Sequence, residues 1–159
     1  MKVEVSRANE VSRANEALGL LPGRTVAWLA KSLERALAEV SLSLPQYRLL
    51  TFLSQGSAAA TALAGHLAVS PPSLTALADG LVARGLVERR SDDTDRRRVA
   101  HVVTKKGLRA LREADDAVER HLTTLAERLP PSKRKRAVDG LGFWSEALGA
   151  ARAERLAKG

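Results

Sequence analysis

The sequence predicts a mainly α-helical protein with one small β-hairpin, organised as a winged helix-turn-helix joined to a helical lobe. Three observations predict it. A helical stretch from Pro71 to Arg84 follows a shorter helix and a tight turn, so two helices meet across only Ala68 and Val69. Two strand-like runs come next, Leu86–Arg90 and Arg98–Val103, the second rich in β-branched residues, and a charged turn separates them. Long segments on both sides of this unit carry apolar residues at three- and four-residue steps, the period of a helix with one buried face.

Element by element, residues 1–16 hold a tandem hexamer, VSRANE at Val5–Glu10 and again at Val11–Glu16. Six matches neither helical nor strand periodicity and its charges cancel, so it reads as a solvated tail. From about Arg24 the residues Leu29, Leu33, Leu37, Val40 and Leu44 define one helical face. Pro45 suits the start of a new helix capped by Ser43, with Tyr47, Leu50 and Leu53 as its apolar stripe, and Gln55, Gly56 and Ser57 break it. Thr61 is a plausible cap for a short helix through Leu63, Ala64 and Leu67, and Ser70 caps the next, with Pro71 at its first position. Leu74, Leu77, Ala78 and Leu81 form the buried face there, and Gly85 ends it. Thr104 caps a long helix with Leu108, Leu111, Asp115, Val118, Leu122, Leu125 and Leu129 on one face, Asp115 being the polar exception. Pro130 and Pro131 interrupt it, and Val138, Leu141, Phe143, Trp144, Leu148 and Leu156 mark a last helix.

Composition narrows the function. The 159 residues include 26 Lys+Arg against 18 Asp+Glu, a formal net charge of +8, which draws the chain to polyanions. The absence of cysteine excludes disulfides, thiol catalysis, thiol redox sensing and Cys-ligated zinc. No apolar run reaches the length of a membrane span and the first residues lack a signal-peptide core, so a cytoplasmic chain with no membrane partner is expected. His66, His101 and His121 are scattered over three elements and read as surface residues, with His101 near enough to the wing to touch a phosphate. No hydrolase, zinc-protease or phosphate-loop motif accompanies them, so no catalytic residue, metal or cofactor is expected. The run Lys133–Arg136 stands at a helix start, where cations oppose the helix dipole, and reads as a solvated face or one with acidic neighbours.

A reading unit of residues 44–104 has no need of flanking amphipathic helices unless their stripes are buried, and a second copy is the economical partner. Residues 17–43 and 105–159 are therefore expected to build a helical dimerisation lobe. Taken in order, LPQYRLLTFL, TALAGHLAVSPPSLTALADGLVARGLVERR and DDTDRRRVAHVVTKKG resemble the MarR family of bacterial winged helix-turn-helix regulators. The motif positions are Asp95, Arg97, Val103, Thr104, Lys106 and Gly107; Val103 stands where leucine is usual, and Ala76 and Gly80 where polar or basic residues are frequent.

The resemblance implies a dimeric DNA-binding regulator, more often a repressor, acting on an inverted-repeat operator among the nucleoid of a bacterial cell. It implies that Arg97 enters the minor groove with its side chain held by Asp95. The helix from Pro71 to Ala83 carries no Lys or Arg, so direct reading of guanine by an arginine of its own is excluded. What it offers is the hydroxyls of Ser70, Ser73 and Thr75 and apolar contact from Pro72 and Ala76, with Thr61 at the preceding cap. Arg84, Arg89, Arg90, Arg96 and Arg98 are expected to hold the phosphate backbone, and Asp79 to face inward or pair with a nearby arginine. The resemblance further implies a small lipophilic or aromatic effector between the lobes, lined by Trp28, Tyr47, Leu50, Val118 and Leu122. The competing reading is a basic architectural or RNA-associated protein without sequence preference.

Overall fold

The computed structural model describes residues 22–56, 58–59, 63, 67, 69–91 and 99–157. The tandem hexamer, Thr61, His66 and the wing turn with Asp95, Arg96, Arg97 and Arg98 lie outside the described residues. Those described form helices α1 (Pro22–Glu39), α2 (Leu44–Leu53), α3 (Pro71–Ala83), α4 (Lys105–Ala126) and α5 (Pro131–Ala157), with strands β1 (Ala58–Ala59), β2 (Val87–Ser91) and β3 (Val99–Val103). Leu63 and Leu67 also have helical backbone, one turn apart, and both are buried.

The chain turns between α1 and α2 at Ser41, which takes a left-handed φ of 57°. Leu44 therefore opens α2 instead of extending the α1 face as its spacing suggests. Ser43 caps α2 in a reciprocal pair: its side chain accepts from the Gln46 amide at 3.3 Å, and its own amide donates to Gln46 Oε1 at 3.1 Å. Ser70 caps α3 and Thr104 caps α4, as the sequence predicts. Gly85, at φ 69°, closes α3: its amide reaches the Val82 carbonyl at 2.8 Å and the next amide, of Leu86, reaches Leu81 at 2.9 Å.

β2 and β3 pair antiparallel with Val87 opposite Val103 and Ser91 opposite Val99, the expected hairpin. A third strand departs from expectation, because β1 adds to the other edge of β3, Ala58 opposite His101, giving the order β1-β3-β2. Two alanines have no strand preference of their own, so only the exposed edge of β3 makes them a strand.

One core unites these elements. Leu37 of α1, Leu49, Leu50 and Leu53 of α2, Leu63, Leu74 and Leu81, Val87 of β2 and Ala114 of α4 are all essentially inaccessible to solvent and belong to a single cluster. On α4 the buried line is Gly107, Leu111, Ala114 and Ala117, with Asp115 exposed beside it. The small residues let α1 and α2 approach α4 closely, which a count of leucines along the helix does not reveal. Gly107 is the tightest point: a Cβ there would lie 2.0 Å from the Leu86 carbonyl oxygen and 2.7 Å from a Val103 methyl. Thr104 secures the same corner by donating its hydroxyl to the Gly85 carbonyl at 2.7 Å.

The α4 helix ends at Ala126, short of Leu129, and α5 turns back at Pro131. Arg134 donates from Nε to the Leu129 carbonyl at 3.0 Å and from Nη2 to the Glu127 carbonyl at 2.9 Å. It thus satisfies the carbonyls that follow α4, where a cation suits the helix dipole. Its neighbour Lys135 pairs with Asp139 at 2.6 Å. Half of the basic run is accounted for by these contacts.

Candidate nucleic-acid interface

α3 buries Leu74, Ala78 and Leu81 and presents Pro72, Ser73, Thr75, Ala76 and Asp79 to solvent. Four of the expected contact residues thus share one exposed face with Asp79. Their hydroxyls are already oriented. Thr75 donates to the Pro71 carbonyl at 3.0 Å, and the Ser70 and Ser73 hydroxyls bond each other at 2.8 Å. Thr75 is therefore left with its lone pairs, able to accept from a base amino group but with its proton spent.

The arginines around this face fall into different settings. Arg84 caps the C-terminus of α3 and donates from Nη1 to the Ser41 carbonyl at 2.7 Å, while Lys106 reaches back to the Arg84 carbonyl at 2.7 Å. Arg84 is half-buried at the turn between α1 and α2, and its bond to Ser41 braces that turn. Arg89 pairs with Asp79 across the gap between β2 and α3, which answers where the helix acid turns. Arg90 pairs with Glu88 of its own strand, Nε to Oε1 at 2.7 Å, and stays exposed.

His101 departs from its expected surface place. It sits in the middle of β3, opposite Arg89 in the sheet register, at 5% exposure, with neither ring nitrogen hydrogen-bonded. Burial first, and then the Arg89 charge, hold its pKa below the ordinary histidine value, with Asp79 opposing weakly. The ring is neutral at pH 7 and out of reach of a phosphate. His121 is half-buried and its Nε2 lies 3.0 Å from Ser32 Oγ, joining α4 to α1.

The five residues expected to line an effector pocket do not share one setting within the protomer. Leu50 is fully buried in the core and Val118 packs against that core. Tyr47 donates its hydroxyl to Asp115 Oδ1 at 2.6 Å, a bond that ties α2 to α4. Burial, then the bond and the charge of Asp115, push its pKa far above the ordinary phenol value, so the group stays a donor. Trp28 lines an open groove between α1 and α4 together with Ser32, Arg35 and His121. Leu122 lines a different, apolar groove with Leu29, Leu125, Val138 and Leu141. Among the described residues no three His, Cys, Asp or Glu side chains are grouped to hold a metal ion, and no helix is long and apolar enough to cross a membrane.

Comparison with known proteins follows the same outline. Residues 40–98 match the family model described as the MarR family. No curated protein matches the chain. The fold is similar to that of RV1404 from Mycobacterium tuberculosis at 27% identity and TM-score 0.65, covering 87% of this chain and 94% of that one. It is similar to the transcriptional repressor CouR bound to a 23-mer DNA duplex at 28% identity and TM-score 0.65, covering 83% and 94%. It is also similar to CouR from Rhodococcus jostii RHA1 bound to p-coumaroyl-CoA, at 25% identity and TM-score 0.60, covering 78% and 88%. Residues 40–98 of the chain thus match the MarR family model, and the fold over most of the chain is similar to that of these solved structures.

Proposed function

We propose that this protein is a homodimeric transcriptional repressor that grips an inverted-repeat operator with two copies of α3 in successive major grooves, about 34 Å apart. The observation that carries the reading is an exposed α3 face bordered by the β2 arginines in a protomer whose opposite end is left unfinished. Along α5 every described side chain is exposed except Gly140 and Ala151, and Phe143, Trp144 and Leu148 stand about 70% open. A helix of that length and apolarity is stable only against a partner, and a second copy supplies it with the two-fold symmetry that an inverted repeat requires. The wing turn would contribute Arg97, directed by Asp95, to the minor groove, while Arg90, Arg96 and Arg98 hold the backbone. Ser70, Ser73, Thr75, Pro72 and Ala76 meet base edges, and Thr61 meets the backbone beside them.

An aromatic or lipophilic effector that changes the spacing of the two reading lobes completes the proposal. The structure of CouR with p-coumaroyl-CoA supports that class. In this chain the Trp28 groove offers an aromatic face beside Arg35 and His121, suited to a planar acid.

Footprinting on the DNA flanking the gene, followed by competition titration against random duplex, tests the reading. A repressor protects a symmetric site that random duplex displaces at least about a thousandfold less well at fixed salt. Equal competition by random duplex would instead identify a protein that binds nucleic acid without sequence preference.

A further inference from the structure

A recognition helix without a basic residue lacks the side chain that pairs best with guanine. The fold supplies one from elsewhere. Arg89 belongs to β2, yet its guanidinium is bonded through Nη2 to Asp79, on the same exposed face of α3 as Pro72, Thr75 and Ala76. Thr75 lies one helical turn before Asp79, a rise of about 6 Å, so the guanidinium hangs one turn from the residues that face the bases. Among the described residues it is the arginine whose side chain is bonded to an α3 side chain. Arg84 is spent on the Ser41 carbonyl and Arg90 on Glu88.

We infer that Arg89 is the base-reading cation of this recognition helix, and that Asp79 is its positioning residue. The inference rests on the DNA-binding reading above and adds the base read, a guanine in each half-site. The chemistry favours a base over a phosphate. A carboxylate bonded to the guanidinium offsets the net charge that would hold a phosphate, but it fixes the plane of the fork, and a fixed fork is what paired hydrogen bonds to guanine O6 and N7 require. Beside the pair, on the same face of the sheet, lies the buried His101, opposite Arg89 in register, so the arginine leaves the strand next to packed side chains.

The test selects binding sites for the full-length protein from a duplex library randomised over 24 base pairs, then measures affinity for the enriched duplex. The wild type should enrich a guanine at one symmetric pair of positions. Replacing those guanines by 7-deazaguanine, which lacks the N7 acceptor, should weaken wild-type binding about tenfold and leave Arg89→Ala binding unchanged. Arg89→Lys should lose preference at that position alone, and Asp79→Asn should relax it in part while the other positions keep theirs. A merely structural pair would lower affinity at all positions without altering the base preference, and that result in both Arg89→Lys and Asp79→Asn overturns the inference. So does a uniform loss with a shallower salt dependence, which marks a phosphate contact. A wild type that binds duplex and enriches sites without that guanine sinks the role of Arg89 alone; a wild type that binds no duplex sinks the DNA-binding reading together with it.

Discussion

The two ends of this protomer are built to different standards of completeness. In the winged-helix part, α2, α3, the sheet and the middle of α4 enclose leucines with almost no solvent exposure, and α2, α3 and α4 are each capped at the start. In the other lobe, α1 and α5 leave Val26, Trp28, Phe143, Trp144 and Leu148 at 65–70% exposure. The difference teaches that one part folds on its own contacts, whereas the other leaves an apolar face uncovered within the protomer. Mutations in the first should cost folding free energy in the monomer; mutations in the second should cost association.

The sharpest way to break that comparison is to charge the unfinished face. Trp144→Glu combined with Leu148→Glu should convert the proposed dimer to monomer, weakening association at least about a hundredfold while the monomer keeps its helical content, as sedimentation equilibrium and circular dichroism can establish. Retention of the dimer would place the interface elsewhere. Next in size is Gly107→Ala. With the Leu86 carbonyl in the way, the corner between β3 and α4 has to open, and a loss of about 3 kcal/mol in chemical denaturation is expected, with self-association unchanged in the folded fraction.

Tyr47→Phe probes the join between the reading lobe and α4. It removes one hydrogen bond to an exposed carboxylate and should cost about 1 kcal/mol by denaturant midpoint, leaving the dimer intact. The smallest effect concerns acid. His101 has a folded pKa below its unfolded value, so its unfolded form takes up the proton first; the contribution is whole above about 6.5 and is lost as pH falls toward the folded pKa. His101→Leu should flatten the fall in melting temperature across that window. An unchanged pH profile would mean that other groups drive it.

Much of this was legible in the primary sequence because it depends on local rules. Ser43, Ser70 and Thr104 each precede a helical pattern and each accepts a backbone amide; Gly85 and the prolines mark the helix ends; β-branched residues mark β3. What escaped depends on residues far apart in sequence. Asp115 occupies a stripe position by spacing, yet the packed line runs through Ala114 and Ala117, because close helix approach favours small side chains over leucine. His101 looks like a surface histidine until the packed sheet buries its side chain. Arg84 and Arg89 look alike as cations beside the recognition helix, but one braces a turn contributed by Ser41 and the other meets an acid ten residues earlier.

The chain's own letters determined where helices start and stop, that a hairpin follows α3, and that its charge favours a polyanionic partner, since caps, glycine turns, side-chain period and net charge act over a few residues or none. Only the tertiary structure decided which cation serves α3, which residues lie beneath the hairpin, and which apolar face is left open. Those outcomes are set by contacts between segments that one-dimensional spacing cannot bring together.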